Sequence, residues 1–82
     1  MAVVTFYGPL SDIMGRTRIV NIGAGGASIR SILARLEEDE PALRDALERM
    51  RVRCAKNDVM TSPDALVAEA DEVAILPPFS GG

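Results

Sequence analysis

The chain has 82 residues, 48% hydrophobic and 26% charged, with nine basic against twelve acidic side chains for a net charge of −3. Such a composition marks one globular domain that buries ~60–65% of its unfolded surface, and the acidic balance argues against a nucleic-acid partner. No apolar run approaches the ~20 residues of a membrane span, the first residues lack signal-peptide architecture, and the single cysteine permits no internal disulfide, so the expected compartment is the cytoplasm.

Residues 2–7 alternate and are rich in β-formers, which predicts a strand with Val4 and Phe6 inward and Thr5 and Tyr7 outward. Gly8-Pro9 breaks it. Leu10, Ile13 and Met14 then follow helical spacing between Pro9 and Gly15, predicting one short helical turn. A second strand is expected over residues 16–22. The stretch Gly23-Ala24-Gly25-Gly26-Ala27-Ser28 follows a strand and opens a helix, the setting of a phosphate-binding loop. However, Ser28 stands where the third glycine of GxGxxG belongs, and the chain is too short for a dinucleotide fold. The plainer reading is a connection with Ser28 as helix N-cap.

A first helix is predicted over residues 29–38, striped by Ile29, Ile32, Leu33 and Leu36. A charge within the stripe, such as Leu33→Asp, is expected to unfold the domain. A second helix begins near Pro41, striped by Leu43, Ala46, Leu47 and Met50, with Arg44–Glu48 and Asp45–Arg49 as i,i+4 pairs on its wet side. The acidic run Glu37 to Glu40 between them reads as a solvated junction. Residues 51–56 form a third strand, with Val52 and Cys54 on one face and Arg51 and Arg53 on the other. Cys54 could carry a persulfide, but its inward direction favours an inert buried thiol. Asn57-Asp58 suits a hairpin turn, Val59-Met60 returns as a short strand, and residues 65–68 are expected to pair briefly. After a turn at Glu69-Ala70-Asp71, residues 72–76 form the last strand, Val73 and Ile75 inward, Ala74 and Leu76 outward. This order of elements predicts a small α+β roll.

The tail is Pro77-Pro78-Phe79-Ser80-Gly81-Gly82. Neither proline can donate to a central ladder, so the sheet should stop at Leu76. Pro-Pro favours a stiff, extended start, and Gly81 and Gly82 could enter a narrow channel. Six residues at ~3.3 Å each reach roughly 20 Å. The chain thus divides into a domain over residues 1–76 and an arm over residues 77–82. There is no histidine and no tryptophan, so no metal site is expected. Acid–base catalysis would fall on carboxylates, the single Lys56 or Tyr7. A self-sufficient enzyme is not expected.

With that order and that tail, the sequence resembles the MoaD/ThiS sulfur carriers of the ubiquitin-like β-grasp superfamily. Residues 71–82, Asp-Glu-Val-Ala-Ile-Leu-Pro-Pro-Phe-Ser-Gly-Gly, carry the likeness most strongly, helped by Phe6-Tyr7, the Leu-rich first helix and Asn57. The proline-rich ending is most similar to the small subunits of molybdopterin synthases. One departure is Ala70, where the family usually has glycine; if that turn needs positive φ, strain of about 1–2 kcal/mol is expected.

The resemblance implies a mixed sheet of four to five strands on one main helix, with a flexible Gly-Gly tail. It implies a sulfur-donating, non-catalytic subunit whose Gly82 carboxylate is adenylated and then converted to a thiocarboxylate. No cofactor is expected on this chain alone; ATP would be used by a separate MoeB-like, ubiquitin-activating-type adenylyltransferase. A sulfur donor protein and a MoaE-like large subunit would complete the set of partners. Pro77, Pro78, Phe79, Ser80 and Gly81 would thread the partner's active site. Tyr7, Met60 and Leu76 would form an apolar docking patch, rimmed by Arg51 and Arg53. Sulfur delivery to thiamine, cysteine or tRNA thiolation, conjugation to protein lysines, and an inert interaction module remain alternatives.

Overall fold

The computed structural model describes residues 1–78. Strand β1 (Ala2–Phe6) alternates as its sequence does, burying Ala2, Val4 and Phe6. It pairs antiparallel with β2 (Thr17–Val20) on one side and parallel with β7 (Glu72–Leu76) on the other. On its far side β7 pairs antiparallel with β4 (Arg53–Lys56), which forms a hairpin with β5 (Val59–Thr61). The sheet order is therefore β2-β1-β7-β4-β5, with the last strand of the chain inserted at the centre. Helices α1 (Pro9–Met14), α2 (Ile29–Asp39) and α3 (Pro41–Arg49) pack their apolar residues on one sheet face. Ile29, Ile32, Leu33 and Leu36 meet Val4, Phe6, Cys54, Val73 and Ile75 in a single core. This is a ubiquitin-like β-grasp with five strands in its main sheet.

Three elements differ from the sequence expectation, each for a stateable reason. Strand β2 ends at Val20, not residue 22, because its partner begins at Ala2, directly opposite. Beyond it, the Ile22 and Gly23 amides both donate to Glu69 Oε1 at 3.3 Å. Strand β4 starts at Arg53, not residue 51, because Arg53 faces Leu76 and the next position on β7 is Pro77, which has no N–H. The brief pairing expected over residues 65–68 is realised as β6 (Leu66–Val67), but its partner is β3 (Ala27–Ser28), at the end of the glycine-rich connection. Gly26 has φ +76, and a Cβ there would lie 3.1 Å from the Val67 carbonyl oxygen. Gly26 is thus the glycine of the connection at which two backbones meet, whereas a Cβ at Gly23 or Gly25 would meet nothing within 4 Å.

Surface charges also rearrange. Arg44 reaches Glu37 of α2 at 3.9 Å instead of the expected Glu48, linking the two helices across their junction.

The β4–β5 turn holds Asn57 and Asp58 at φ 50 and 69, the left-handed pair that a tight hairpin requires. Asn57 also clamps the start of β7. Its backbone N–H donates to the Glu72 carbonyl at 2.7 Å, and its side-chain oxygen accepts from the Glu72 N–H at 2.9 Å. Its amide nitrogen donates to Asp71 Oδ1 at 3.1 Å, while Asp71 Oδ2 accepts from the Ala68 N–H at 2.8 Å. The Ala68 amide, then Asn57, hold the Asp71 carboxyl below its ordinary 3.8; slight desolvation opposes them and Lys56 adds a smaller attraction. Because the folded pKa is the lower one, this stabilisation is complete above 3.8 and is lost as pH falls through the folded value. Asp71→Asn should therefore lower the urea midpoint by more at about pH 6 than at about pH 3. Urea titrations at both pH values check this.

Ala70 adopts φ 72. It is the third residue of a turn closed by the Asp71 N–H to the Ala68 carbonyl at 3.2 Å, the position that type II turns reserve for glycine. A left-handed alanine costs about 1–2 kcal/mol, and glycine gives back about 0.4–1 kcal/mol through the unfolded chain. Ala70→Gly is expected to stabilise the fold by about 0.5–1 kcal/mol, read as a higher urea midpoint at unchanged m-value.

Candidate functional site

Chain direction and register decide what stands on the sheet face away from the helices. Phe6 and Ile75 are partners and both point into the core. The next rung, Tyr7 and Leu76, therefore points outward. The Tyr7 N–H donates to the Ile75 carbonyl at 3.2 Å, extending the ladder to that rung. Arg53 faces Leu76 from β4, so Tyr7, Leu76 and Arg53 form one outward row. A second row runs Thr5, Ala74, Ala55 and Met60, partner by partner.

The two rows give a shaped surface. Alanines form the floor, and Ala55 is only 8% exposed although it belongs to the outer face. Met60 stands across from Ala55 and is 52% exposed, while on the other row Tyr7 is 38% exposed and Leu76 half-buried. The Arg16 guanidinium lies over the Tyr7 ring, 5.7 Å from its centroid, a cation–π contact worth about 0.5–1 kcal/mol at an exposed site. The structure thus brings Tyr7, Met60, Leu76 and Arg53 together. Arg51 is exposed but precedes β4 and lies outside the paired sheet.

Sequence reasoning placed Ala74 outward without giving it a part in the patch, and it missed two participants. Ala55 could have been found by carrying strand alternation through to cross-strand partners. Arg16 carried no local signal; its place over Tyr7 depends on the β1–β2 pairing. Pro77 and Pro78 follow β7 directly, so the arm leaves the sheet at the edge of this face. Phe79, Ser80, Gly81 and Gly82, on which the expected chemistry falls, lie outside the described residues.

Two rival sites lose support from their geometry. The N-terminal amides of α2 are already bonded: Ile29 N–H to the Ala65 carbonyl at 3.1 Å, Arg30 N–H to the Pro63 carbonyl at 2.8 Å, and Ser31 N–H to Ser28 Oγ at 3.0 Å. Ser28 is the N-cap its position suggested, and these amides are not free for a phosphate. Cys54 lies at the floor of a cleft of about 290 Å³ between Arg30, Leu33, Leu47, Val52 and Pro63. Its side chain is buried, and burial raises the thiol pKa above its usual value, with Arg30 opposing only in part. A thiol so placed is a poor nucleophile. Among the described residues, no cluster of Cys, Asp or Glu is placed to hold a metal ion, and no helix is long and apolar enough to cross a membrane.

Comparison with known proteins finds the same fold. The chain is similar to small archaeal modifier protein 1 from Haloferax volcanii, with 25% identity, a TM-score of 0.78 and coverage of 99% and 98% of the two chains. CysO in the BexX/CysO complex of Amycolatopsis orientalis shares the fold at 22% identity and a TM-score of 0.76, over 100% of both chains. So does a chain in the complex of subunits 1 and 2 of the molybdopterin-converting factor from Helicobacter pylori, at 21% identity, a TM-score of 0.66 and coverage of 99% and 97%. No curated protein sequence matches. The sequence profile of the ThiS family matches residues 4–82, nearly the whole chain including the arm, and the chain therefore belongs to the ThiS family of ubiquitin-like sulfur carriers and modifiers.

Proposed function

We propose that this chain carries sulfur as a thiocarboxylate on Gly82, as the small subunit of a molybdopterin synthase. The observation that carries the reading is the junction at Leu76. The central strand ends there, two prolines take the chain off the sheet, and an apolar face flanked by arginines adjoins the exit. A partner docked on that face would receive the arm.

A free carboxylate is ionised near neutral pH and is a poor electrophile. One of its oxygens attacks the α-phosphorus of ATP on an adenylyltransferase, forming an acyl-adenylate and releasing pyrophosphate. A sulfide equivalent from a sulfur donor protein then adds to the acyl carbon and expels AMP, leaving the thiocarboxylate. In the large subunit, that sulfur would displace an oxygen substituent from a carbon of the pyranopterin substrate, the C–S bond forming as the C–O bond breaks and the oxygen leaving with a proton from the partner. Water would then cleave the acyl–sulfur bond, restoring the carboxylate and leaving the sulfur on the substrate as a thiol. This chain contributes the carrier and the docking face, and the bases and anion-binding groups belong to its partners. The molybdopterin branch draws on the Pro-Pro-Phe-Ser-Gly-Gly ending and on the fold shared with the Helicobacter pylori molybdopterin-converting factor complex.

The test is the intact mass after incubation with an activating enzyme, ATP and a sulfur donor. A gain equal to one oxygen replaced by one sulfur, abolished by deleting Gly82, is expected. No gain with an enzyme shown to load another carrier would defeat the reading.

Conjugation to protein amines is the second reading, favoured by the likeness to a small archaeal modifier protein. Lys56 is the sole lysine, and its Nζ donates to the Leu66 carbonyl at 2.9 Å, so branched chains through it would have to break that bond. A ladder of conjugates that vanishes on deleting Gly82 would establish this reading instead.

A further inference from the structure

We propose that Gly8 is a positioning residue: its bare α-carbon is the seat on which the Pro77 ring rests, and it thereby aims the C-terminal arm. The inference rests on the reading of the arm as the reactive element. Gly8 has φ +60, and a Cβ built on it would lie 3.0 Å from Pro77 Cγ, 3.7 Å from Cδ and 3.8 Å from Cβ. At the nearest of these distances an added methyl would require the ring to give by a few tenths of an ångström. Pro77 therefore lies closely against the bare α-carbon of Gly8.

Gly8 is itself held from both sides. Its predecessor is tied to the strand preceding the arm, through the Tyr7 N–H to the Ile75 carbonyl at 3.2 Å. Its own carbonyl accepts from the Ser11 N–H at 3.0 Å and the Ser11 hydroxyl at 2.7 Å, at the start of α1. The seat is thus fixed to the central sheet and to a helix, and the ring it supports is the first residue beyond the sheet.

Two consecutive prolines make that ring the base of a stiff lever. Each locks its own φ, and each restricts the residue before it to extended conformations. A sideways shift of the Pro77 ring is therefore passed on to Pro78, and with it the direction in which the arm starts. Reaction rates are sensitive to how reacting groups are presented, so the start of the arm bears on its loading. The docking face lies on the adjoining rungs and does not include this contact. The seat should therefore govern turnover more than partner affinity.

A double-substitution cycle on the full chain tests this, with Gly8→Ala, Pro77→Ala and the two combined. The rate of sulfur loading is read by intact mass, and turnover is separated from KM for the carrier. Gly8→Ala is expected to lower turnover about tenfold with KM within about twofold. Gly8→Ala should cost less in the Pro77→Ala background than in the parent chain, because Cγ and Cδ are gone and the remaining Pro77 Cβ position lies at an ordinary 3.8 Å, while the strain at φ +60 is common to both backgrounds. Additive losses would overturn the proposal and assign the effect of Gly8→Ala to backbone strain at φ +60.

A second measurement needs no activating enzyme and no particular function. A nuclear Overhauser contact between the Gly8 α-protons and the Pro77 γ-protons is expected in the parent chain. Residual dipolar couplings of the Pro78 Cα–Hα bond should change in Gly8→Ala. Absence of the contact, or unchanged couplings in a folded Gly8→Ala chain, overturns the proposal. If the parent chain is not loaded, the sulfur-carrier reading fails and these two observables alone decide the role of Gly8.

Discussion

Ile32→Asp is expected to leave the chain unfolded, whereas Leu33→Asp, which the apolar stripe alone would also expect to unfold the domain, is expected from its place at the cleft to leave it folded with a lower melting temperature. The two residues are neighbours in the apolar stripe of α2 and look interchangeable in sequence. Their surroundings differ. Ile32 is 1% exposed and enclosed by the core. Leu33 is 8% exposed and lines the open cleft beside Arg30, one helical turn earlier. A carboxylate at 32 loses about 1.5–3 kcal/mol of apolar burial and has no cation or water to receive it, a penalty of several kcal/mol more. For 82 residues, a total stability of roughly 4–12 kcal/mol follows from 0.05–0.15 kcal/mol per residue. The combined cost consumes most or all of it. At 33 the carboxylate reaches solvent through the cleft and lies near Arg30, which is itself paired with Asp64 at 3.0 Å, so the cost stays near the apolar term. Far-ultraviolet circular dichroism with thermal melts distinguishes the outcomes. Equal losses in the two variants would show that the cleft does not admit water.

The same pair shows where sequence reasoning works and where it stops. Helical spacing found the stripe of α2, because period and burial both follow from the geometry of one helix. Strand alternation placed Val4, Phe6, Val73 and Ile75 inward and Tyr7 and Leu76 outward for the equivalent reason. Nothing local could say that β7 lies between β1 and β4, and that insertion is what gathers Tyr7, Leu76 and Arg53 into one row. The β3–β6 pair was similarly hidden. Two residues on each side carry no periodicity, and their pairing shows in sequence only as Gly26, whose missing side chain lets the Val67 carbonyl approach. Ala70 was legible in the opposite way. A residue ill suited to its turn was noticed against the family pattern, and its φ of 72 shows the conformation that glycine would have occupied without strain. The proline pair marked the end of the sheet at Leu76, but the contact between Gly8 and Pro77 joins positions 69 residues apart and left no trace in spacing.

Leu76→Asp is expected to weaken binding to a molybdopterin synthase large subunit by at least about 30-fold while leaving the fold intact. Leu76 is half-buried, at the centre of the row between Tyr7 and Arg53 and at the root of the arm. A docked partner would desolvate it fully, and anchors of this kind cost about 2 kcal/mol or more when lost, which is roughly the stated factor. The fold should tolerate the change, because position 76 faces outward and Arg53 stands across from it. An opposite-charge cross-strand pair contributes about 0.2–1 kcal/mol, offsetting part of the lost apolar contact. Isothermal titration against the large subunit measures the affinity, and urea denaturation confirms the fold. Unchanged affinity would remove Leu76 from the interface and with it the proposed docking face. Arg53→Ala should behave differently, since a charge at the rim acts mainly on encounter. Its effect is expected in the association rate and in the salt dependence, with dissociation nearly unchanged. Glu48→Arg, on the wet side of α3 and away from the sheet face, should alter neither. A loss of affinity in all three variants would indicate a partner that reads net charge instead of this surface.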